Sequence, residues 1–190
     1  MSKKPSEKSK FIFKLILLLS STFIMIGMLL FVGKKQENTP SLVASNFVTY
    51  DILRAITKGT NQDIKLLINP GTDIHHYEPS QQDIIDIQKS SLFVYIGGES
   101  EDWIEQVTLE NQHTLKLIDI EGLALYHEDD ADEIDEHIWT SPSNYTQMLE
   151  ATARKLSEIY PENSQKYQEN TNEYIAKIKG VNEKIKELSD

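Results

Sequence analysis

The sequence predicts an α/β fold: a single lobe with a parallel four-stranded sheet flanked by helices, ending in a long helix and preceded by an N-terminal transmembrane or signal segment. Three observations predict it. Apolar runs of strand length alternate with short helical stretches between residues 42 and 120, the pattern of βαβ units. The run SLFVYIGG, 91–98, is almost continuously apolar, as strands buried on both faces of a parallel sheet are. From Pro142 onward the apolar spacing is helical.

The N-terminus reads as a targeting element. A lysine-rich stretch, MSKKPSEKSK, precedes a segment in which residues 15–33 carry no charge. That uncharged length is about the minimum for a membrane span, and the lysines before it predict a cytoplasmic N-terminus with an exported body. No A-x-A-like site follows, so an uncleaved signal anchor is the expectation, with a cleaved signal peptide as the other reading. The 190-residue chain has no cysteine, which excludes disulfides, thiolate ligands and a lipid-modified cysteine anchor.

The elements follow in order. Residues 36–41 form a polar linker, and LVASNFVTY, 42–50, reads as a mostly buried strand. DILRAITKG, 51–59, reads as a short helix stopped at Gly59, and DIKLLINPG, 63–71, as a second strand ended by a Pro-Gly turn. In EPSQQDIIDIQKS, 78–90, Ser80 caps a helix whose first turn holds Asp83 and whose apolar face is Ile84, Ile85 and Ile87. The strand 91–98, a helical stretch 99–110 and a fourth strand, 113–120, complete the sheet.

Ser141 caps the next helix, with Pro142 at its first position. Residues 161–190 then extend as one helix of about 40–45 Å. Its stripe Tyr174, Ile178, Val181, Ile185 and Leu188 is spaced 4, 3, 4, 3 and calls for a covering surface, either a coiled-coil partner or a second lobe. The domain organisation expected is therefore 1–35 anchor or signal, 36–41 linker, 42–160 lobe and 161–190 linking helix.

Charge narrows the function. Residues 1–35 hold seven lysines and one acid, leaving 12 basic and 29 acidic residues in 36–190, a net of −17. Such a body repels nucleic acid and attracts cations. With no cysteine, any metal site has to use His, Asp and Glu. The chain also lacks a Gly-rich phosphate loop, an H-E-x-x-H pair and a G-x-S-x-G elbow, so no enzyme class is indicated.

Five histidines remain to be weighed. His75 and His76 lie in GTDIHHYEPS between a strand and a helix, at the sheet edge where such folds bind ligands. His113 opens a strand and reads as structural or solvent-exposed. His127 and His137 bracket a run with seven acids among the nine residues 128–136. That run is either a solvated loop or an anionic loop that raises local cation concentration. His137 sits between the acids and the cap at Ser141, with Trp139 beside it. It reads as a buried cap-bonded histidine or as a ligand held in a fixed orientation.

Four segments together carry a family resemblance: the opening VASNFVTYDILRAIT, then NPGTDIHHYEPSQQDI, SSLFVYIGGESEDWIE and DEHIWTSPSN. The second resembles P-G-x-x-P-H-x-Y-E-P, the third A-D-L-V-x-x-x-G-x-x-x-E-x-W and the fourth D-P-H-x-W-x-x-P-x-N. These are patterns of the zinc/manganese-type (cluster A-I) solute-binding proteins of metal ABC transporters, a group that includes adhesins.

The resemblance covers residues 42–190, the N-terminal lobe and the start of the linking helix. It implies metal ligation by His75 and His137, with Zn2+ the expected ion, Mn2+ the alternative, and a permease as partner. His76 falls at a variable position. Ile74 replaces the usual proline, and Ser141 stands where aspartate is common. The family's other two ligands come from a C-terminal lobe, so this stretch encodes half a site, and a truncated or split receptor is expected. The alternative is a membrane-anchored, non-transporting interaction protein that pairs through its C-terminal helix.

Overall fold

The computed structural model describes residues 8, 10, 11, 14, 16–21, 40–107, 113–127 and 134–189. The chain divides into two compact units, Met1–Asn38 and Thr39–Asp190. Described residues of the first are helical, and most of the uncharged stretch 15–33 lies outside the described residues. Among the described residues no helix is long and apolar enough to cross a membrane.

The second unit runs β1 (Leu42–Ala44), α1 (Phe47–Ile56), β2 (Ile64–Leu66), α2 (Gln81–Lys89), β3 (Leu92–Tyr95), β4 (Thr114–Lys116), α3 (Pro142–Ile159) and α4 (Ser164–Ser189). The four strands form one parallel sheet in the order β2-β1-β3-β4. The strand order reverses at β1, so the carboxyl ends of β1 and β3 open a crevice of the kind that binds ligands in such folds.

The second strand, expected over 63–71, is confined to Ile64–Leu66, and two further boundaries move for a local reason. The first strand stops at Ala44 rather than running to residue 50, because Asn46 starts a helix. Its side chain accepts from the backbone N–H groups of Val48 and Thr49, and the Thr49 hydroxyl accepts from the Asn46 N–H, a capping box. The fourth strand likewise ends at Lys116 and turns into a 3-10 segment, Leu117–Asp119. Residues Glu99–Gln106 are helical as expected but wound as 3-10. The caps at Ser80 and Ser141 form where they are read from sequence.

Alternate strand residues face opposite layers. Leu42, Ala44, Leu92 and Val94 pack with Ile52, Leu53 and Ile56 of α1, Met148, Leu149 and Leu156 of α3, and Tyr167 and Ile175 of α4. On the other face, Val43 and Phe93 meet Leu67, Ile68, Ile87 and Ile104, with Ile74, Tyr77 and Trp103 packed around them. Burying each large side chain contributes about 1.5–3 kcal/mol. Both faces are covered, as a parallel sheet requires.

Helix α4 is tied down over its first half. The Asn170 amide donates to the carbonyls of Ile56 and Lys58 at 2.7 and 2.9 Å, satisfying the end of α1. Asp51 accepts from the Tyr145 hydroxyl at 3.0 Å and from that of Tyr174. Beyond this point the predicted stripe divides. Tyr174 and Ile178 pack against the core, whereas Val181, Ile185 and Leu188 are exposed.

Candidate metal site

Loop segments that follow the sheet strands build one cleft. A cavity of about 370 Å³ is lined by His75 after β2, Gly97, Gly98 and Asp102 after β3, Lys116 and Asp119 around the end of β4, and Glu136 and His137 ahead of α3. The two histidines singled out by resemblance, 62 residues apart in sequence, thus line the same space.

Each histidine is delivered by the same local device. In Asp73-Ile74-His75 the aspartate Oδ1 accepts from the His75 backbone N–H at 3.0 Å. In Asp135-Glu136-His137 the corresponding oxygen accepts from the His137 N–H at 2.9 Å. Both are Asx turns, which let a short carboxylate replace a backbone turn partner. These bonds hold the Asp135 carboxyl below the usual carboxylate range, and at Asp73 the His76 ring is the larger cause, ahead of the backbone bond.

The ring environments differ. His137 Nδ1 lies 2.7 Å from Asp135 Oδ1, and the Trp139 ring sits 5.1 Å from the imidazole, centroid to centroid. With Nδ1 engaged, Nε2 is the ring nitrogen left for a ligand, the arrangement that orients metal-binding histidines. The His137 side chain is 54% exposed, so a solute can reach it. His76, not His75, has the carboxylate on its ring: Nδ1 is 2.9 Å from Asp73 Oδ2. His76 is exposed and does not line the cleft.

The scaffolding beneath these residues explains the shared motif positions. Tyr77 meets Trp103 edge-on at 5.4 Å, so the segment after His75 packs against the segment after β3. The Tyr77 hydroxyl donates to Asp83, which also accepts from Ser80 and pairs with Lys65 at 2.7 Å. Asn144 clamps the chain ahead of the acidic run, accepting from the Ala124 N–H and donating to its carbonyl, both at 2.9 Å. Ile74, in place of proline, packs its side chain into the second core layer.

Two buried carboxylates stand at the loops that build the cleft, and Glu136 lines it. Glu101 is 3% exposed and accepts from the Gly97 N–H at 2.7 Å and from the Asn46 amide at 3.2 Å, bridging the loops that follow β1 and β3. Burial pushes its carboxyl up, and the nearby Glu136 adds to the rise, against hydrogen bonds that lower it. Glu136, 8% exposed, accepts from Ser100 through Oε2 alone. In the sequence, Glu136 figures only as the last member of the acidic run and Glu101 only as the glutamate of the G-x-x-x-E-x-W pattern, neither with a buried position expected.

The remaining histidines fall elsewhere. His113 is exposed just ahead of β4. His127 pairs with Ile134 in an antiparallel bridge that closes the stem of the acidic run. The run itself, 128–133, lies outside the described residues. Among the described residues, no three His, Asp or Glu side chains converge closely enough to hold one metal ion. Among the described residues, the imidazoles that line the cleft are those of His75 and His137.

Comparisons with known proteins give the family and the fold. The sequence profile of the family described as "ZnuA: Zinc-uptake complex component A periplasmic" matches residues 42–190. The zinc-binding lipoprotein AdcA of Streptococcus pneumoniae serotype 4 is 27% identical over 184 residues, 88% of this chain and 36% of that protein. The crystal structure of Zn(II)-bound AdcA from Streptococcus pneumoniae superposes with a TM-score of 0.66 at 27% identity, covering 77% of this chain and 32% of that one. A Mn-bound periplasmic metal binding protein from candidatus liberibacter asiaticus gives 0.65 at 26% identity, covering 73% and 53%. The chain thus spans about a third to a half of the length of these relatives.

Proposed function

Because the chain belongs to the zinc-uptake complex component A family, we propose that it is the extracytoplasmic metal-capturing component of an ABC uptake system, taking up Zn2+, with Mn2+ as the alternative cargo. One observation carries the reading. His75 and His137 line a single cleft at the carboxyl edge of the sheet. The role is solute binding, not catalysis.

In this reading His137 ligates through Nε2, with Asp135 fixing the ring, and His75 supplies the second imidazole. Zinc suits imidazole donors and a four-coordinate shell, so two further positions go to water, to a carboxylate of the acidic run, or to a second lobe on this or another chain. Zinc-bound and manganese-bound relatives support both ions. Delivery is to a permease. Residues 1–35 serve as membrane anchor or signal, 36–41 as linker, 42–160 as the metal-binding lobe and 161–190 as the linking helix.

The interaction-protein alternative rests on the exposed end of the α4 stripe alone, and family membership favours uptake over it. Chelator-competition titration of zinc into the wild type, His75→Ala and His137→Ala tests the proposal. Affinity should fall at least tenfold in each variant. Equal affinity in all three would sink it.

A further inference from the structure

We propose that Glu136 is a third cation-binding group of this cleft, its Oε1 accepting a hydrogen bond from a water molecule on the ion held by His75 and His137. The inference rests on the metal-capture reading above.

Glu136 is more than nine-tenths buried, and its two oxygens are treated differently. Oε2 accepts from the Ser100 N–H at 3.1 Å and from the Ser100 hydroxyl at 2.8 Å. Oε1 is buried with no hydrogen-bond partner among the described residues. A buried carboxylate oxygen without a donor costs more than an ordinary hydrogen bond contributes, so such an atom marks a site completed by something else. The residue lines the same cleft as both histidines and immediately precedes one of them.

The chain also makes room for this side chain. A Cβ on Gly98 would lie 2.2 Å from both Glu136 Cβ and Glu136 Oε2, so the carboxylate lies across the glycine backbone. Its surroundings then select the partner. Glu99, Asp102 and Asp119 also line the cleft, against one lysine, Lys116. That balance favours a cation and its hydration shell over an anion.

Direct ligation is not what the geometry offers, because no three such groups among the described residues converge on one point. Oε1 is closed to solvent in this structure, so a water admitted together with the ion would supply both the missing reach and its donor. Hard oxygen character is what this carboxylate adds to two imidazoles.

The test is zinc affinity by chelator competition on the full chain, for wild type, Glu136→Gln, Glu136→Asp, Ser100→Ala and His137→Ala, with metal-free melting as a folding control. Outer-shell groups of this kind change metal affinity about 10–100-fold. Glu136→Gln should weaken zinc by that factor and Glu136→Asp by less, while Ser100→Ala stays within about threefold. Wild-type affinity in Glu136→Gln alongside lost binding in His137→Ala would overturn this inference alone. Equal losses in Ser100→Ala and Glu136→Gln would overturn it too, by making Glu136 a clamp. Undiminished binding in His137→Ala would instead remove the capture reading on which it stands.

Discussion

Asp135 Oδ1 holds His137 twice, by its backbone N–H at 2.9 Å and by its ring Nδ1 at 2.7 Å. One carboxylate oxygen thus sets both the turn that presents the imidazole and the ring nitrogen left for a ligand. The two contributions separate by substitution. Asp135→Asn keeps an oxygen for the Asx turn but loses the negative charge that raises imidazole basicity, whereas Asp135→Ala loses both. Zinc affinity is expected to fall about tenfold in the first and further in the second. Competition titrations giving both variants wild-type affinity would remove Asp135 from the site.

Much of this lobe is legible in the sequence, for identifiable reasons. The apolar run 91–98 and the caps at Ser80 and Ser141 are local signals, and each element forms at those positions. The first strand is overread because FVTY has strand-like composition, while Asn46 and Thr49 satisfy the helix start reciprocally and decide the matter. Pairing of His75 with His137 came from resemblance, since local sequence does not show which loops meet at a sheet edge. Both segments share a D-x-H spacing, Asp73-x-His75 and Asp135-x-His137, which is the local mark of the two turns. Burial of Glu101 and Glu136 depends on packing between loops and on the close approach at Gly98, which no local pattern displays.

Gly98 and Gly180 make a matched pair of glycine substitutions with opposite signs. A Cβ at Gly98 meets Glu136 at 2.2 Å, and one at Gly180, inside α4, meets nothing within 4 Å. Gly98→Ala should therefore destabilise the lobe by about 1–3 kcal/mol through overpacking. Gly180→Ala should stabilise it by about 0.5–1 kcal/mol, because alanine is the better helix former and restricts the unfolded chain. Urea unfolding measures both, and a neutral Gly98→Ala would mean that Glu136 is free to move aside.

Acid sensitivity should trace to two carboxylates away from the cleft histidines. Burial alone would raise Asp83, but Lys65 and Ser80 outweigh it and leave the carboxyl below its ordinary range. At Asp51 burial is likewise outweighed by Tyr174, Arg54 and Tyr145. A carboxyl depressed in the folded state binds protons more readily when unfolded. Its stabilisation is present above the unfolded value of about 3.9 and is lost as pH falls through the lower folded value. Glu101 has the opposite sign, favouring the folded state below about 4.3 and losing that contribution as pH rises through its raised folded value. Melting temperature should fall steeply below about pH 4. Asp83→Asn should start lower at pH 7 and lose less on acidification. Parallel acid limbs in the two proteins would rule out Asp83 as a source.

The two halves of α4 should respond differently to mutation, because only the first is part of the lobe's core. Ile175 is 8% exposed within the main core cluster, whereas Leu188, further along the same helix, is 88% exposed. Ile175→Ala should cost about 2–4 kcal/mol, the transfer and cavity terms of a buried aliphatic deletion. Replacing Val181, Ile185 and Leu188 together by glutamine removes exposed apolar surface and should leave the unfolding midpoint within about 0.5 kcal/mol. Thr171 sharpens the contrast from the buried side. It is fully buried, and its hydroxyl has no hydrogen-bond partner among the described residues. Thr171→Val keeps the shape and removes an unsatisfied polar atom, so it should be neutral or stabilising by up to about 1 kcal/mol. Destabilisation by the triple glutamine variant as large as that of Ile175→Ala would show that the far end of α4 is covered within this chain's own assembly, and the stripe would then belong to the fold rather than to a partner.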